Sequence, residues 1–287
     1  MNSSSQDISS GIERAKPLLG TTVSVRVHGL APAVAHAAIG AAFAAVCGVH
    51  EAMSFHESDS EVSRLNRDAH RTPVAVSDAT YAVIAHALTM SALTNGIFDI
   101  TVAPLLVARR HLPRPAHAPV PDGAANWRDI QLLPENRVRF HRPLWIDLGG
   151  IAKGYAVDRA MAIVLSFAPT QAAVNAGGDL RLAGPRAECV RLDCEEACED
   201  FVPVIELKQG SLASSAGTPH GPHINPHRRG RERSQFVSVT ASRCIDADAL
   251  TKVVMARGAS SARTLAALGA RAIVHDAEGW HEIGEQA

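Results

Sequence analysis

The most restrictive feature of the sequence is a pair of places where an extended, apolar run ends directly in two glycines. The first is Asp147-Leu-Gly149-Gly150-Ile-Ala-Lys153-Gly154, which leads into a helical pattern. The second is Asn175-Ala-Gly177-Gly178-Asp179, between two strand-like segments. Glycine lets a ligand approach the main chain closely, and the amides at a helix N-terminus favour a phosphate. Read alone, each junction is first of all a tight turn, and neither has the Walker or Rossmann glycine spacing.

The rest of the chain supplies strands and helices around these junctions. Residues 19–28 alternate from Val23 onward and read as a strand, followed by a Pro-initiated, Ala-rich helix over about 33–53. Residues 54–68 read as a polar loop, and a second helix capped by Ser77 runs to about Thr94, where Asn95-Gly96 closes it. Four prolines over 109–123 predict an exposed loop. A hairpin is expected over 130–133 and 138–140, a short strand over 145–148 and a helix over 152–167. Further strands are expected over 172–175, 180–183, 202–207, 236–240 and 271–275. The reading is a mixed α/β (α+β) chain, with residues 1–17 a flexible segment and 18–287 one domain.

Composition narrows the function classes. Lysine plus arginine (28) nearly cancels aspartate plus glutamate (29), so no broad positive field exists to gather nucleic acid. The first eleven residues are polar and Ser-rich, with no basic segment followed by an apolar one. The expectation is a cytoplasmic protein with no signal peptide, lipobox or membrane segment of its own. Five cysteines without framework spacing agree with free thiols. Cys189, Cys194 and Cys198 lack the tight knuckle of zinc ribbons, although a zinc site there is conceivable.

The order of short motifs is more specific than any one of them. Leu19-Gly-Thr, Met53-Ser, the run from Asp59 to Asn66, Gly96-Ile-Phe-Asp99-Ile-Thr-Val-Ala-Pro104, the run from Asp147 to Asp158, Val174-Asn-Ala-Gly-Gly-Asp179, His223-Ile-Asn-Pro226 and Ala247-Asp-Ala-Leu-Thr251 occur in sequence. Together they resemble the ApbE family, the FAD:protein FMN transferases, from about Leu18 to the C-terminus. The resemblance implies mixed sheets flanked by helices in two intimately packed subdomains. It also implies an enzyme that splits FAD at its pyrophosphate and passes FMN to a threonine or serine hydroxyl of an acceptor protein, releasing AMP, with Mg2+ beside the phosphates.

Carried over residue by residue, the resemblance implies FAD contacts at Ile97, Phe98, Asp99, Asp147, Lys153 and Ile224. It implies metal contacts at Asp248, at Thr251 and at the carbonyl of Gly150. Asp248 could instead cap a helix that follows it, Asp99 could serve only a turn, and Lys153 could be a solvated first-turn side chain. His56 stands where the family usually has a tyrosine to pack on the flavin. His223 is a candidate for proton transfer or FAD positioning, since an imidazole suits general-base work. The repeat His220, His223, His227 invites a zinc reading, but Arg228, Arg229 and Arg231 around it would repel a cation.

Lys252 is the main departure: it stands where many members carry a threonine ligand, four residues from Asp248 on the same helical face. A protonated lysine has no lone pair for a metal. Either the two form a plain helix ion pair, or the ammonium lies against the phosphates as a catalytic cation and partly replaces magnesium. An FAD pyrophosphatase using water, or a flavin-binding protein that has lost catalysis, are the competing functions.

Overall fold

The computed structural model describes residues 11–192, 194, 202–217 and 235–284. Along the chain, β1 (Ile12–Leu18) and β2 (Thr21–His28) precede α1 (Pro32–Met53), α2 (Glu61–Asp68), β3 (Val74–Ala75), α3 (Asp78–Leu93) and α4 (Ala103–Ala108). Next come β4 (Ile130–Leu133), β5 (Arg137–Phe140), α5 (Ala152–Leu165), β6 (Gln171–Ala176) and β7 (Asp179–Ala183). Then follow β8 (Glu188–Arg191), β9 (Val204–Leu207), β10 (Gly210–Gly217), β11 (Gln235–Ala241), α6 (Cys244–Arg257), α7 (Ala262–Ala267), β12 (Arg271–Asp276) and β13 (Gly279–Ile283).

Eight strands form one antiparallel sheet in the order β1-β2-β6-β7-β10-β11-β12-β13, while β3-β5-β4 and β8-β9 form smaller sheets. Strand β2 shows why the alternation matters: Val23, Val25 and Val27 are all buried beneath the helices while their neighbours are not. Helices α1, α5 and α6 cover that face and share one core with the β3-β5-β4 unit. A smaller cluster on Leu182, Leu192, Leu207, Leu212 and Phe236 joins the eight-stranded sheet to β8-β9.

Helix α1 buries Ala35, Ala38, Ile39, Ala42, Phe43, Val46, Val49 and Met53, the three-and-four spacing of a helix lying on a core. Its outward face is largely alanine, so it is also long and apolar enough to cross a membrane by length and composition alone.

Several expectations need correction. Residues 12–17, expected to be flexible, pair with β2 from Ile12 opposite Val27 to Leu18 opposite Thr21. As an edge strand with exposed side chains, β1 carries no apolar alternation to betray it; residues 1–10 lie outside the described part. Residues 54–68 contain a helix, α2, whose N-cap Ser60 accepts from the Ser63 amide at 3.0 Å. The segment 145–148 is irregular and pairs with no strand among the described residues. Its backbone is held instead by Asn66: the Ile146 amide donates to Asn66 Oδ1 at 2.7 Å, and Asn66 Nδ2 donates to the Ile146 carbonyl at 3.0 Å. The amide of Asp147 donates to the Ile100 carbonyl at 2.8 Å, which brings the 97–100 segment beside the Asp147 junction.

Candidate active site

A cleft of about 750 Å3 opens where these segments meet, within the size range of cofactor sites. The end of α1 and the chain after it give Val49, Met53 and Phe55, and the turn into α4 gives Ile97, Phe98 and Leu106. The polar part of the lining comes from Asp147, the Gly149-Gly150 turn, Lys153 at the start of α5, Ser214 and Ser215 of β10, and Lys252 of α6. His56, Asp99, His111 and Leu112 complete much of the wall, so the loop expected to be merely exposed over 109–123 contributes two lining residues. That loop is pinned by Trp145, whose ring N–H donates to the Pro119 carbonyl at 2.9 Å.

The geometry of the polar end comes from two helices that cap each other. Gly154 lies against α6 so closely that a Cβ there would sit 2.3 Å from the Cys244 carbonyl oxygen and 2.8 Å from Asp248 Cβ. Across this contact the Gly154 amide donates to Asp248 Oδ2 at 3.0 Å. In return, Asp158 of α5 accepts the amides of Cys244 and Ile245 at 3.0 and 3.1 Å, and it also holds Arg181 of β7. Asp248 therefore does cap a helix, but it caps α5 and not its own, being the fifth residue of α6. Each carboxylate satisfies amides that have no partner inside their helix and sits at the positive end of a dipole.

Lys153 is paired, with its Nζ 2.8 Å from Asp179 Oδ2. Burial disfavours the Lys153 ammonium, but Asp248 and Asp179 outweigh it and lift the group above the ordinary lysine range. The pair is lopsided. Asp179 is 1 % exposed, its Oδ1 has no hydrogen-bond partner among the described residues, and burial with repulsion from Asp248 pushes its carboxyl up to about 6 against the pull of Lys153 and Lys252. Burial also raises Asp147, opposed by the Gly149 amide, the charge of His56 and the Leu148 amide. Asp99 accepts from the Thr101 amide and hydroxyl, both at 2.8 Å, so its turn role is real and coexists with its place in the cleft.

Gly150, Asp248 and Thr251, the metal set implied by the resemblance, adjoin one another through Lys252. The side-chain oxygens of Asp248 and Thr251 are already engaged. Lys252 Nζ is bonded to Asp248 Oδ1 and lies 3.1 Å from Ser215 Oγ, while Asp248 Oδ2 accepts from Gly154. The fully buried Thr251 hydroxyl donates to the Asp248 carbonyl at 2.7 Å and meets Ser215 Oγ at 2.9 Å. Burial alone would raise the Asp248 carboxyl; Lys252, Lys153 and the Gly154 amide reverse this and hold it below the usual carboxylate range. Two unit charges 4 Å apart interact by about 4 kcal/mol at an effective dielectric constant of about 20, so a divalent ion beside the Lys252 ammonium would meet roughly twice that in repulsion. Among the described residues no group of three or more His, Cys, Asp or Glu side chains is placed to hold a metal ion. The residues present do not fit magnesium at this set.

His223 and Ile224, with the H-x2-H-x3-H repeat, lie outside the described residues, as does Cys198. Cys189 is exposed on β8, and Cys194 Sγ lies 3.8 Å from His275 Nδ1, on the side of the sheet away from the cleft helices. Two site residues were missed by sequence reasoning. Asp179 was visible as the end of its glycine junction. Ser215 had no signal, because β10 (GSLASSAG) has no β-branched or aromatic residue and does not read as a strand.

Comparison with known proteins places this geometry among flavin-handling ones. The sequence model described as the ApbE family matches residues 19–274. The FAD:protein FMN transferase of Vibrio cholerae is 30% identical over 234 residues, covering 73% of this chain and 70% of that protein. The protein of the same name from Treponema pallidum is 27% identical over 192 residues, 62% of this chain and 53% of the other. The crystal structure of the ApbE protein of Thermotoga maritima superimposes with a TM-score of 0.83 at 26% identity, covering 96% of this chain and 97% of that one. The flavin transferase ApbE from Vibrio cholerae gives 0.79 at 25% identity, covering 96% of both chains.

Proposed function

The chain belongs to the ApbE family, and from that premise we propose that it transfers FMN from FAD to a threonine or serine hydroxyl of an acceptor protein, releasing AMP. The observation that carries this reading is the make-up of the cleft: an apolar wall from the end of α1 and the 97–106 segment, and a floor bearing Lys153 at the N-terminus of α5 and Lys252 of α6. A flavin ring needs the first and a pyrophosphate the second. In this reading Ile97, Phe98 and His56 flank the flavin, Asp99 and Asp147 orient it, and Lys153 and Lys252 face the phosphates, with Ile224 a further FAD contact.

In the reaction the acceptor hydroxyl oxygen bonds to the FMN phosphorus as the pyrophosphate P–O bond breaks. The bond's electron pair stays on the AMP oxygen, and the hydroxyl proton passes to a base, for which His223 is the candidate. Such phosphoryl transfer is driven chiefly by positioning and by charge placed where it develops. Burial makes the Cys244 thiol a poor nucleophile, since its own proton is held well above the usual thiol range.

The test is to incubate the protein with FAD and a threonine-bearing acceptor, following AMP by chromatography and the acceptor by mass spectrometry. The expected result is one FMN moiety gained by the acceptor for each AMP released. AMP formed without acceptor modification would instead identify a pyrophosphatase.

A further inference from the structure

The floor of the cleft carries a cation that belongs to the chain itself. Lys252 leaves α6 beneath the glycine turn, and its stem passes Gly150: Cε lies 3.7 Å and Cγ 3.9 Å from where a Gly150 Cβ would be, with the edge of the Phe98 ring also at 3.7 Å. The ammonium then rests on Asp248 Oδ1 and Ser215 Oγ. Asp248 and Thr251 are both 0% exposed, whereas the Lys252 side chain is 19% exposed and lines the cleft. A bound ligand therefore meets the ammonium and not the carboxylate beneath it.

We propose that Lys252 is the resident cation of this site, contacting the FAD pyrophosphate in place of a protein-held divalent ion. The proposal rests on the FMN-transfer reading and deepens it. An ammonium has three hydrogens to donate. Among the described residues two are directed to Asp248 and Ser215, which fix the head in space and leave the third for a phosphate oxygen. Lys153, held by Asp179, brings a second ammonium to the same floor from α5. With both aspartates ionised the quartet of Lys153, Lys252, Asp179 and Asp248 is neutral overall. Its grip on the phosphates comes from directed donors and not from a net field, so the exact seat of each lysine matters more than the sum of charge. Ser215 is a positioning residue in this arrangement: it holds both the Thr251 hydroxyl and the Lys252 ammonium from the neighbouring strand.

The experiment measures FAD affinity by flavin fluorescence, with chelator and with added magnesium, for the unmodified protein, Lys252→Thr and Lys252→Arg. Mn2+ titration followed by electron paramagnetic resonance reports any protein-held ion without FAD. The unmodified protein should bind FAD equally, within about twofold, with chelator or magnesium, and show no stoichiometric Mn2+ site. Lys252→Thr frees Asp248 Oδ1, so it should lose about tenfold in affinity under chelator, the loss of one charge-assisted hydrogen bond, and regain it with magnesium. Lys252→Arg should remain indifferent to magnesium. A tenfold fall in the unmodified protein's affinity on chelation, or a stoichiometric Mn2+ site in it, would overturn the proposal. If circular dichroism shows that Lys252→Thr does not fold, those two measurements and Lys252→Arg still decide. Chelator-indifferent FAD binding without AMP release would sink only the transferase reading. Chelator-sensitive binding with AMP release would sink only the inference about Lys252.

Discussion

Gly154→Ala tests the contact on which the polar end of the cleft depends. Gly154 lies in the first turn of α5, and in a free helix the change to alanine would stabilise by about 1 kcal/mol. Here the new Cβ would meet the Cys244 carbonyl oxygen at 2.3 Å, its carbon at 2.7 Å and Asp248 Cβ at 2.8 Å. Two of these atoms are backbone and cannot rotate away, so α5 and α6 must separate, an overpacking cost of about 1–3 kcal/mol. Separation also stretches the Gly154–Asp248 bond, a hydrogen bond to a charged acceptor worth about 1.5–3 kcal/mol. The balance is a net loss of about 1.5–5 kcal/mol, and urea denaturation measures it directly. Thermal melting should fall by roughly 2–4 °C for each kcal/mol in a domain of this class. FAD affinity should fall with it, since Asp248 and Lys252 move away from the α5 N-terminus. A Gly154→Ala protein as stable as the original, or more stable, would show that the two helices do not meet as described.

Two further tests address the supports of the site. The Asp179 carboxyl is raised to about 6 from the ordinary 3.8, so the folded state holds that proton more tightly. Its contribution is fully present below about pH 4 and is lost as pH rises through 6, up to about 3 kcal/mol. The unmodified protein should lose stability relative to Asp179→Asn between pH 4 and 7, and parallel denaturation curves would refute this. Asn66→Ala removes both hydrogen bonds to Ile146, leaving that buried backbone unpaired at a cost of about 1–3 kcal/mol. It should weaken FAD binding through the adjacent Asp147, and calorimetry showing unchanged stability and affinity would count against the clamp.

Elements that bury one face were legible in the sequence, and elements that bury all round or none were not. Helix α3 announced itself by Ser77, whose hydroxyl accepts from the Thr80 amide at 3.3 Å, and β2 by its alternating valines. Helix α6 is buried on nearly every side of its first two turns, from Cys244 to Leu250, and so shows no amphipathic period. Helix α2 is eight residues long and mostly polar, with Val62 and Leu65 its only buried apolar side chains, so it reads as a loop. The Asp147 junction supplies Gly149 and Gly150 to the cleft wall, and the Asn175 junction adjoins the cleft through Asp179, which holds Lys153. The Asp248 partner of Lys252 was legible from its helical spacing, but Asp179 on Lys153 and Ser215 on Lys252 were not, because they reach the lysines across strands that share no sequence neighbourhood.

The exchange of caps between α5 and α6 gives a physical reason for two distant motifs to occur together. The first spans Asp147 to Asp158 and the second Ala247 to Thr251. Asp158 ends the first by capping α6, and Asp248 in the second caps α5. Neither carboxylate would be satisfied in its own helix, and an unpaired buried charge costs several kcal/mol. Each motif is thus an incomplete structure without the other, and joining them lays the α5 N-terminus, Lys153 and Lys252 along one floor. Lys252 extends the same logic. On an exposed helix its pairing with Asp248 would contribute a few tenths of a kcal/mol. On a carboxylate that is 0% exposed, the ammonium supplies the charge that Asp248 needs in order to stay ionised while capping α5. In this chain the cation on the outward oxygen of Asp248 is a side chain, and Lys153 and the Gly154 amide reinforce it.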